Sequence, residues 1–274
     1  MQLMSYRFGG VGARSLVLTV ALAIPASATC QQVPDGDEAA PSEQPRSMST
    51  VPARAWTPTF PQLLSGLGND FRQLTTNNAF VIMGIGGGAV FGAHAFDRRI
   101  ATSRLGGSAM SEALGPGQLV GSMFVQSGAA FATYVAGRAT GSPRLAQVGA
   151  ELVRAQFVAQ GVTQTIKFSA PRTRPDGTAF SFPSGHTASS FATATVLQRE
   201  FGWKVGIPAY VGAAWVGASR VQAERHYLSD VVAGATVGIL AGRAVTVGRG
   251  DNRFSLAPTM VPGGIGFSFS RVKK

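Results

Sequence analysis

The chain has 274 residues, 45% hydrophobic and 14% charged, which is enough to bury one sizeable core and too apolar for an extended disordered protein. Its 24 Lys and Arg against 13 Asp and Glu give a formal net charge of +11, which favours an anionic partner such as a membrane surface, a phosphorylated substrate or a nucleic acid. The cations are dispersed and no nucleic-acid motif occurs, which sets nucleic acid aside, and a single cysteine, Cys30, excludes an internal disulfide.

At the start of the chain, Arg7 and Arg14 precede the apolar stretch SLVLTVALAI, and Ala26-Ser27-Ala28 supplies a small-x-small cleavage site. Residues 1–28 therefore read as an export signal, which places the protein in the periplasm or cell envelope. The apolar core of this signal is too short for a retained anchor, since a bilayer span needs ~20 apolar residues. Lipidation of Cys30 is a further reading, weakened by Ser27-Ala28-Thr29, which lacks the usual leucine. Residues 29–58, rich in Pro, Ser, Gln and acidic side chains, read as a flexible linker.

Residues 59–250 carry helical periodicity, so the fold class is all-α, a helical bundle. Helices are predicted over 61–76, 79–97, 112–140, 143–168, 184–200, 207–220 and 228–247, with a break at the charged cluster Asp97-Arg98-Arg99. The 35 glycines, many beside alanines, suggest close helix packing or many turns. In the tail, 251–274, Ile265, Phe267 and Phe269 alternate with small or polar residues after the turn Pro262-Gly263-Gly264, the pattern of a short β-hairpin that caps or edges the helical domain. The charge-free run Gly117–Gly137 contains Gln118 and Gln126, the run Phe80–Phe96 is short, and Arg199 and Arg243 interrupt the later helices. These lengths favour a soluble or peripherally bound bundle over an integral one.

Three polar clusters carry the chemistry. The first, KFSAPRTRP, holds Lys167 and Arg174; the second, FPSGH, holds Ser184, Gly185 and His186; the third, SRVQAERHYLSD, holds Arg220, His226 and Asp230. Two guanidiniums and an ammonium suit the oxygens of a phosphate. The first turn of a helix after Pro183-Ser184 adds unpaired N–H donors for the same anion. His226 and Asp230 are four residues apart, on one face if that turn is helical, so the carboxylate would take the Nδ1 proton and leave Nε2 as a nucleophile. His186 would then serve as general acid and base. The cations and the helix start supply the positive charge, so this chemistry needs no metal and no cofactor. Taken singly each of these residues has a bland reading as a surface cation, a turn or a structural pair. Jointly they use two of the three histidines in the chain. The third, His94, finds no partner in the pattern and reads as structural, as Tyr227 and Ser229 read as packing or capping residues.

The pattern K-x6-R-P, P-S-G-H, S-R-x5-H-x3-D resembles the signature of the type-2 phosphatidic acid phosphatase and vanadium haloperoxidase superfamily. It is filled by Lys167, Arg174-Pro175, Pro183 to His186, Ser219-Arg220, His226 and Asp230. The resemblance covers residues 167–230; it departs in the spacer, where only seven residues separate Pro175 from Pro183. It implies a bundle of that family's kind and an exported, metal-independent acid-type phosphatase acting on phosphate monoesters, lipid phosphates or pyrophosphates. By the same resemblance His226 is the phosphohistidine nucleophile, Asp230 its orienting partner and His186 the acid. Lys167, Arg174, Ser184, Gly185 and Arg220 hold phosphate. Two other readings stand beside it: a vanadate-dependent haloperoxidase, disfavoured by the short chain and spacer, and a non-catalytic phosphate- or lipid-binding envelope protein. The oligomeric state is open.

Overall fold

The computed structural model describes residues 58–103, 107–246, 253–261 and 264–272. The export signal and all but the last residue of the linker lie outside the described residues. The chain divides into two units, one of residues 51–250 and one that includes residues 251–274. The first unit contains α1 (Phe60–Ser65), α2 (Leu67–Gln73), α3 (Asn77–Thr102), α4 (Ser108–Leu114), α5 (Gly117–Val120), α6 (Met123–Ala139), α7 (Pro143–Ser169), α8 (Gly185–Phe201), α9 (Trp203–Gln222) and α10 (Leu228–Val245). It is helical, in agreement with the fold class read from periodicity. In the second unit β1 (Arg253–Val261) and β2 (Gly264–Val272) pair antiparallel.

Four of the long helices, α3, α6, α7 and α8, start where a small hydroxyl residue accepts an N–H of the first turn. Thr76 accepts from Ala79, Ser122 from Val125, Ser142 from Leu145 and Ser184 from Thr187. Pro143, in the first turn of α7, gives up an N–H that has no partner there anyway. Three predicted boundaries are corrected. The helix expected over 61–76 breaks at Gly66, because the Arg154 guanidinium fills the space beside it and pairs with Asp70, turning α2 onto α7. The helix expected over 112–140 is three pieces: Pro116 starts α5, and Gly121-Ser122 separates α5 from α6 with a bend of 54°. The helix expected to stop at Asp97 continues to Thr102, because Asp97 turns inward to polar partners instead of ending the helix in solvent.

That last correction removes the length argument against a membrane. Among the described residues, α3 and α10 are long and apolar enough to cross a bilayer, and the bent pair from Ser108 to Ala139 makes a third candidate. The outward surface agrees in character. Phe91 and Phe124 are each 82% exposed and Ile85 71%, an apolar exterior that water does not favour.

The core lies where α7, α8 and α10 meet. Buried alanines and valines, including Ala155, Val158, Ala188, Ala192, Val237 and Ala241, let the backbones approach closely. The backbone of α10 lies close against α8. A Cβ at Gly234 would lie 2.4 Å from the carbonyl oxygen of Ser184, one at Gly238 2.4 Å from that of Ala188, and one at Gly242 2.5 Å from Thr195 Cβ. Three glycines at four-residue spacing thus make one groove along α10 in which α8 lies. From the other side, Gln160 on α7 donates to the Gly185 carbonyl at 3.2 Å and to Ser189 Oγ at 2.6 Å, while Gln156 donates to Thr193 Oγ1 at 2.9 Å. The first turn of α8 is therefore held on two sides.

Candidate active site

The polar clusters come together at one end of this bundle, where α7 and α9 finish and α8 and α10 begin. Lys167 stands in the last turn of α7, Arg174 in the connection to α8, Ser184 to His186 at the start of α8, and Arg220 in the last turn of α9. His226 lies between α9 and α10, and Asp230 in the first turn of α10. Every residue singled out in the sequence is in this region.

The connection from 170 to 184 is shaped by its backbone. Arg174 N donates to the Thr178 carbonyl at 2.7 Å, and Gly177, at φ +84°, allows the tight turn between them. Phe180 takes φ 64° and its carbonyl accepts from Lys167 Nζ at 2.6 Å. A cis peptide bond joins Phe182 to Pro183. Ser184 N then donates to the Asp230 carbonyl at 2.9 Å, which locks the beginnings of α8 and α10 together.

Ser184 is fully buried and caps α8. Its hydroxyl accepts from Thr187 Oγ1 at 3.0 Å and, weakly, from Thr187 N. His226 is not on the helical face proposed for a His-x3-Asp pair. It precedes α10, with its N–H donating to the Arg220 carbonyl at 3.3 Å, while Asp230 accepts from Tyr227 N at 2.8 Å as a cap of α10. A loop and a helix start, rather than two turns of one helix, bring the pair together. His226 Nδ1 stands 3.7 Å from Asp230 Oδ2, longer than a hydrogen bond, and this buried nitrogen has no hydrogen-bond partner.

The cations repel one another. Burial, with Arg174 nearby, lowers the Lys167 ammonium to about 8; burial, with Arg225 and Arg174, lowers Arg220 to about 10. The Nε donors of both Arg174 and Arg220 are buried without a partner, although Arg220 Nη1 reaches Gln118 Oε1 at 3.3 Å. Unspent guanidinium donors among like charges are what an absent anion would complete. Burial, with Arg220 and His226 adding to it, lowers His186 to about 4. Burial also pushes His226 below its ordinary value, Lys167 and Arg220 acting with it and Asp230 against it.

The low value at Lys167 has a measurable consequence. Its charge is present below about 8 and lost as pH rises through that value. Phosphate affinity of the wild type is expected to weaken between pH 7 and 9, and that of Lys167→Arg to hold across the same range. A competition assay with inorganic phosphate measures it; parallel pH profiles for the two proteins would contradict it.

Sequence reasoning missed the outer partners. Arg172 joins Asp230, Ser229 and Asp97, and its guanidinium stacks 4.1 Å from the Tyr227 ring centre. Ser181 Oγ donates to Asp230 Oδ2. His94 does have a partner, with Nδ1 2.9 Å from Asp97 Oδ2. None of these carries a local motif. Arg172 stands two residues from Arg174 and looks like another loop cation, and Asp97 reads as a helix stop.

Residues 149–254 match the family profile described as "PAP2 superfamily". This segment is similar to proteins of that superfamily. It contains every residue of the three clusters, so the resemblance read from the signature is borne out. Over 86 residues, 30% of its length, the chain is 46% identical to a "Lipid A 1-phosphatase" of Porphyromonas gingivalis. It spans 19% of that relative. Among solved structures, Aquifex aeolicus LpxE is similar with a TM-score of 0.46 and 21% identity, over 55% of this chain and 92% of that one. A transmembrane PAP2-type phosphatidylglycerolphosphate phosphatase from Bacillus subtilis is similar with a TM-score of 0.41 and 20% identity, over 67% and 92%.

Proposed function

We propose that the protein is a membrane-embedded phosphatase of the cell envelope that hydrolyses lipid phosphate monoesters through a phosphohistidine at His226. The observation that carries this reading is the cluster of Lys167, Arg174 and Arg220, with two buried guanidinium donors unspent, beside a buried histidine whose neutral form burial favours. In the first step His226 Nε2 attacks phosphorus, and the P–O bond to the leaving group breaks. The leaving alkoxide takes a proton from His186. Asp230 bears the charge that develops on the His226 ring. Water, deprotonated by His186, then attacks the phosphohistidine and releases inorganic phosphate. Lys167, Arg174 and Arg220 hold the equatorial oxygens, which gain charge at the transition state, with the Gly185 and His186 N–H groups beside them. Ser184 serves this site as the cap that orients those N–H groups.

His186, at about 4 in the free protein, is neutral at pH 7 and takes up its proton with the anionic substrate. The catalytic form therefore becomes scarcer as pH rises, which is the acid-type behaviour proposed. The cations supply the positive charge, and no group of three His, Cys, Asp or Glu among the described residues could hold a metal ion. Turnover is accordingly expected to survive EDTA; loss in EDTA with recovery on adding a divalent ion would contradict this.

An apolar groove favours a lipid over a soluble ester. About 520 Å³ in volume, it runs between α3, α8, α9 and α10, lined by side chains such as Ile82, Ile85, Phe191, Val231 and Ile239. It shares Val221 and Leu228 with a small cleft lined by Asp97, Pro175, Glu224 and Tyr227 that reaches one side of His226, so the groove ends near the histidine. The spans α3 and α10 and the export signal at 1–28 belong to the same reading. The test is phosphate release from phosphatidic acid in detergent micelles against release from a small aryl phosphate, with His226→Ala as the blank. Faster release from the lipid supports the reading. Release from the aryl ester alone would make the enzyme a soluble-ester phosphatase, and binding without release by either would favour a non-catalytic binder.

A further inference from the structure

Outside the phosphate site, the most elaborate cluster of charged side chains joins α3 to the catalytic pair. Asp97 is a buried carboxylate on a helix that is otherwise mostly exposed and apolar. A buried charge is costly unless it is fully paired, and this one is. Its Oδ1 accepts from Ser229 N at 2.9 Å, and its Oδ2 accepts from Ser229 Oγ at 2.5 Å and from Arg172 Nη2 at 2.9 Å. The other half of the Arg172 fork, Nη1, donates to Asp230 Oδ1 at 2.7 Å and to Ser229 Oγ at 2.8 Å. Asp230 Oδ2 accepts from Ser181 Oγ and from Tyr227 N. With both oxygens engaged, the Asp230 carboxylate cannot turn, and Oδ2 is the oxygen left facing His226 Nδ1. Arg172 also lies over the Tyr227 ring, so one guanidinium holds the carboxylate and the residue next to the histidine.

We propose that Asp97 and Arg172 are positioning residues for the catalytic pair: Arg172 bridges the α3 carboxylate to Asp230 and fixes the oxygen that Asp230 presents to His226. The two carboxylates share one guanidinium, so the bridge carries a net negative charge toward His226. Acting on His226 are Lys167 from α7, His186 from α8 and Arg220 from α9, while Glu224 and Tyr227 line one cleft with it. Removing the guanidinium leaves Asp230 more negative toward His226, and removing the Asp97 charge leaves Arg172 less compensated. The two changes therefore move the proton affinity of His226 in opposite directions, which a role in packing alone would not do.

The experiment is a histidine-ring NMR titration of the full chain in detergent, in which the three rings are assigned with His94→Gln and His186→Gln. Arg172→Gln is expected to raise the His226 pKa by about one unit, and Asp97→Asn to lower it by about half a unit. Arg172→Lys keeps the charge and loses the fork, so it should leave the pKa near the wild-type value. It is also expected to lower kcat by about ten-fold while KM stays within about two-fold. This milder variant keeps the test decisive if the others do not fold. An unmoved His226 in both charge variants, shifts of the same sign, or full kcat in Arg172→Lys would overturn the proposal. The turnover arm rests on the phosphatase reading and the titration does not, so a wild type without activity would fail that reading while the NMR result still judged the bridge.

Discussion

His226→Ala is expected to lower kcat by about four orders of magnitude or more, because in the proposed mechanism it removes the atom to which phosphorus is transferred and not one contact among several. Its neighbours should behave differently. Arg174 holds charge that grows at the transition state, so Arg174→Ala is expected to lower kcat/KM by about a hundred-fold and to leave residual turnover. The distinction follows from the geometry. Another cation, Lys167 or Arg220, remains beside the phosphate when Arg174 is lost, whereas His226 is the one histidine next to Asp230. Phosphate release by the two variants under saturating and limiting substrate measures both effects; comparable kcat for His226→Ala and wild type would contradict the mechanism.

Gly238→Val is expected to be strongly damaging although it lies away from the site. A Cβ there would meet the Ala188 carbonyl oxygen at 2.4 Å, Phe191 Cβ at 2.7 Å and Ala192 N at 2.8 Å. Two of those atoms are backbone, so relief requires α8 to retreat from α10. The cost is about 3 kcal/mol or more, and the retreat also pulls Ser184 N from the Asp230 carbonyl at the site. Gly212→Ala is the control, since nothing lies within 4 Å of a Cβ at Gly212. Thermal unfolding and phosphate release should both fall for Gly238→Val and stay near wild type for Gly212→Ala; a folded, active Gly238→Val would show that the groove along α10 does not set the position of α8.

The same groove shows what was legible in the sequence. Gly234, Gly238 and Gly242 stand at a regular spacing that marks a helix-packing face, so the close approach could have been assigned to α10 from the pattern alone. The three polar clusters of the candidate site were legible because each block is local: a helix end, a Pro-Ser-Gly start and a His-x3-Asp run need no knowledge of the rest of the chain. What lay hidden is long-range. Asp97 and Arg172 are 75 positions apart, and nothing around either residue in the sequence announces the other. Reading Asp97-Arg98-Arg99 as a helix end was reasonable for exposed charges, and failed because the burial of Asp97 is paid for by Arg172 and Ser229. The loss of those five helical residues after Asp97 also made α3 look too short for a span. Periodicity likewise gave 112–140 as one helix, since Pro116 and Gly121-Ser122 break it through their backbone geometry and not their polarity.

The central claim is phosphoryl transfer to His226, and the most direct measurement is to trap the phosphoenzyme. Wild type, His186→Ala and His226→Ala are mixed with a lipid phosphate labelled in its phosphate group and quenched in base within the first turnover. The account predicts a base-stable, acid-labile label on a peptide containing His226, higher in His186→Ala if that change slows the attack by water more than transfer to His226, and absent from His226→Ala. Label on another residue, or phosphate release by His226→Ala at the wild-type rate, would contradict it.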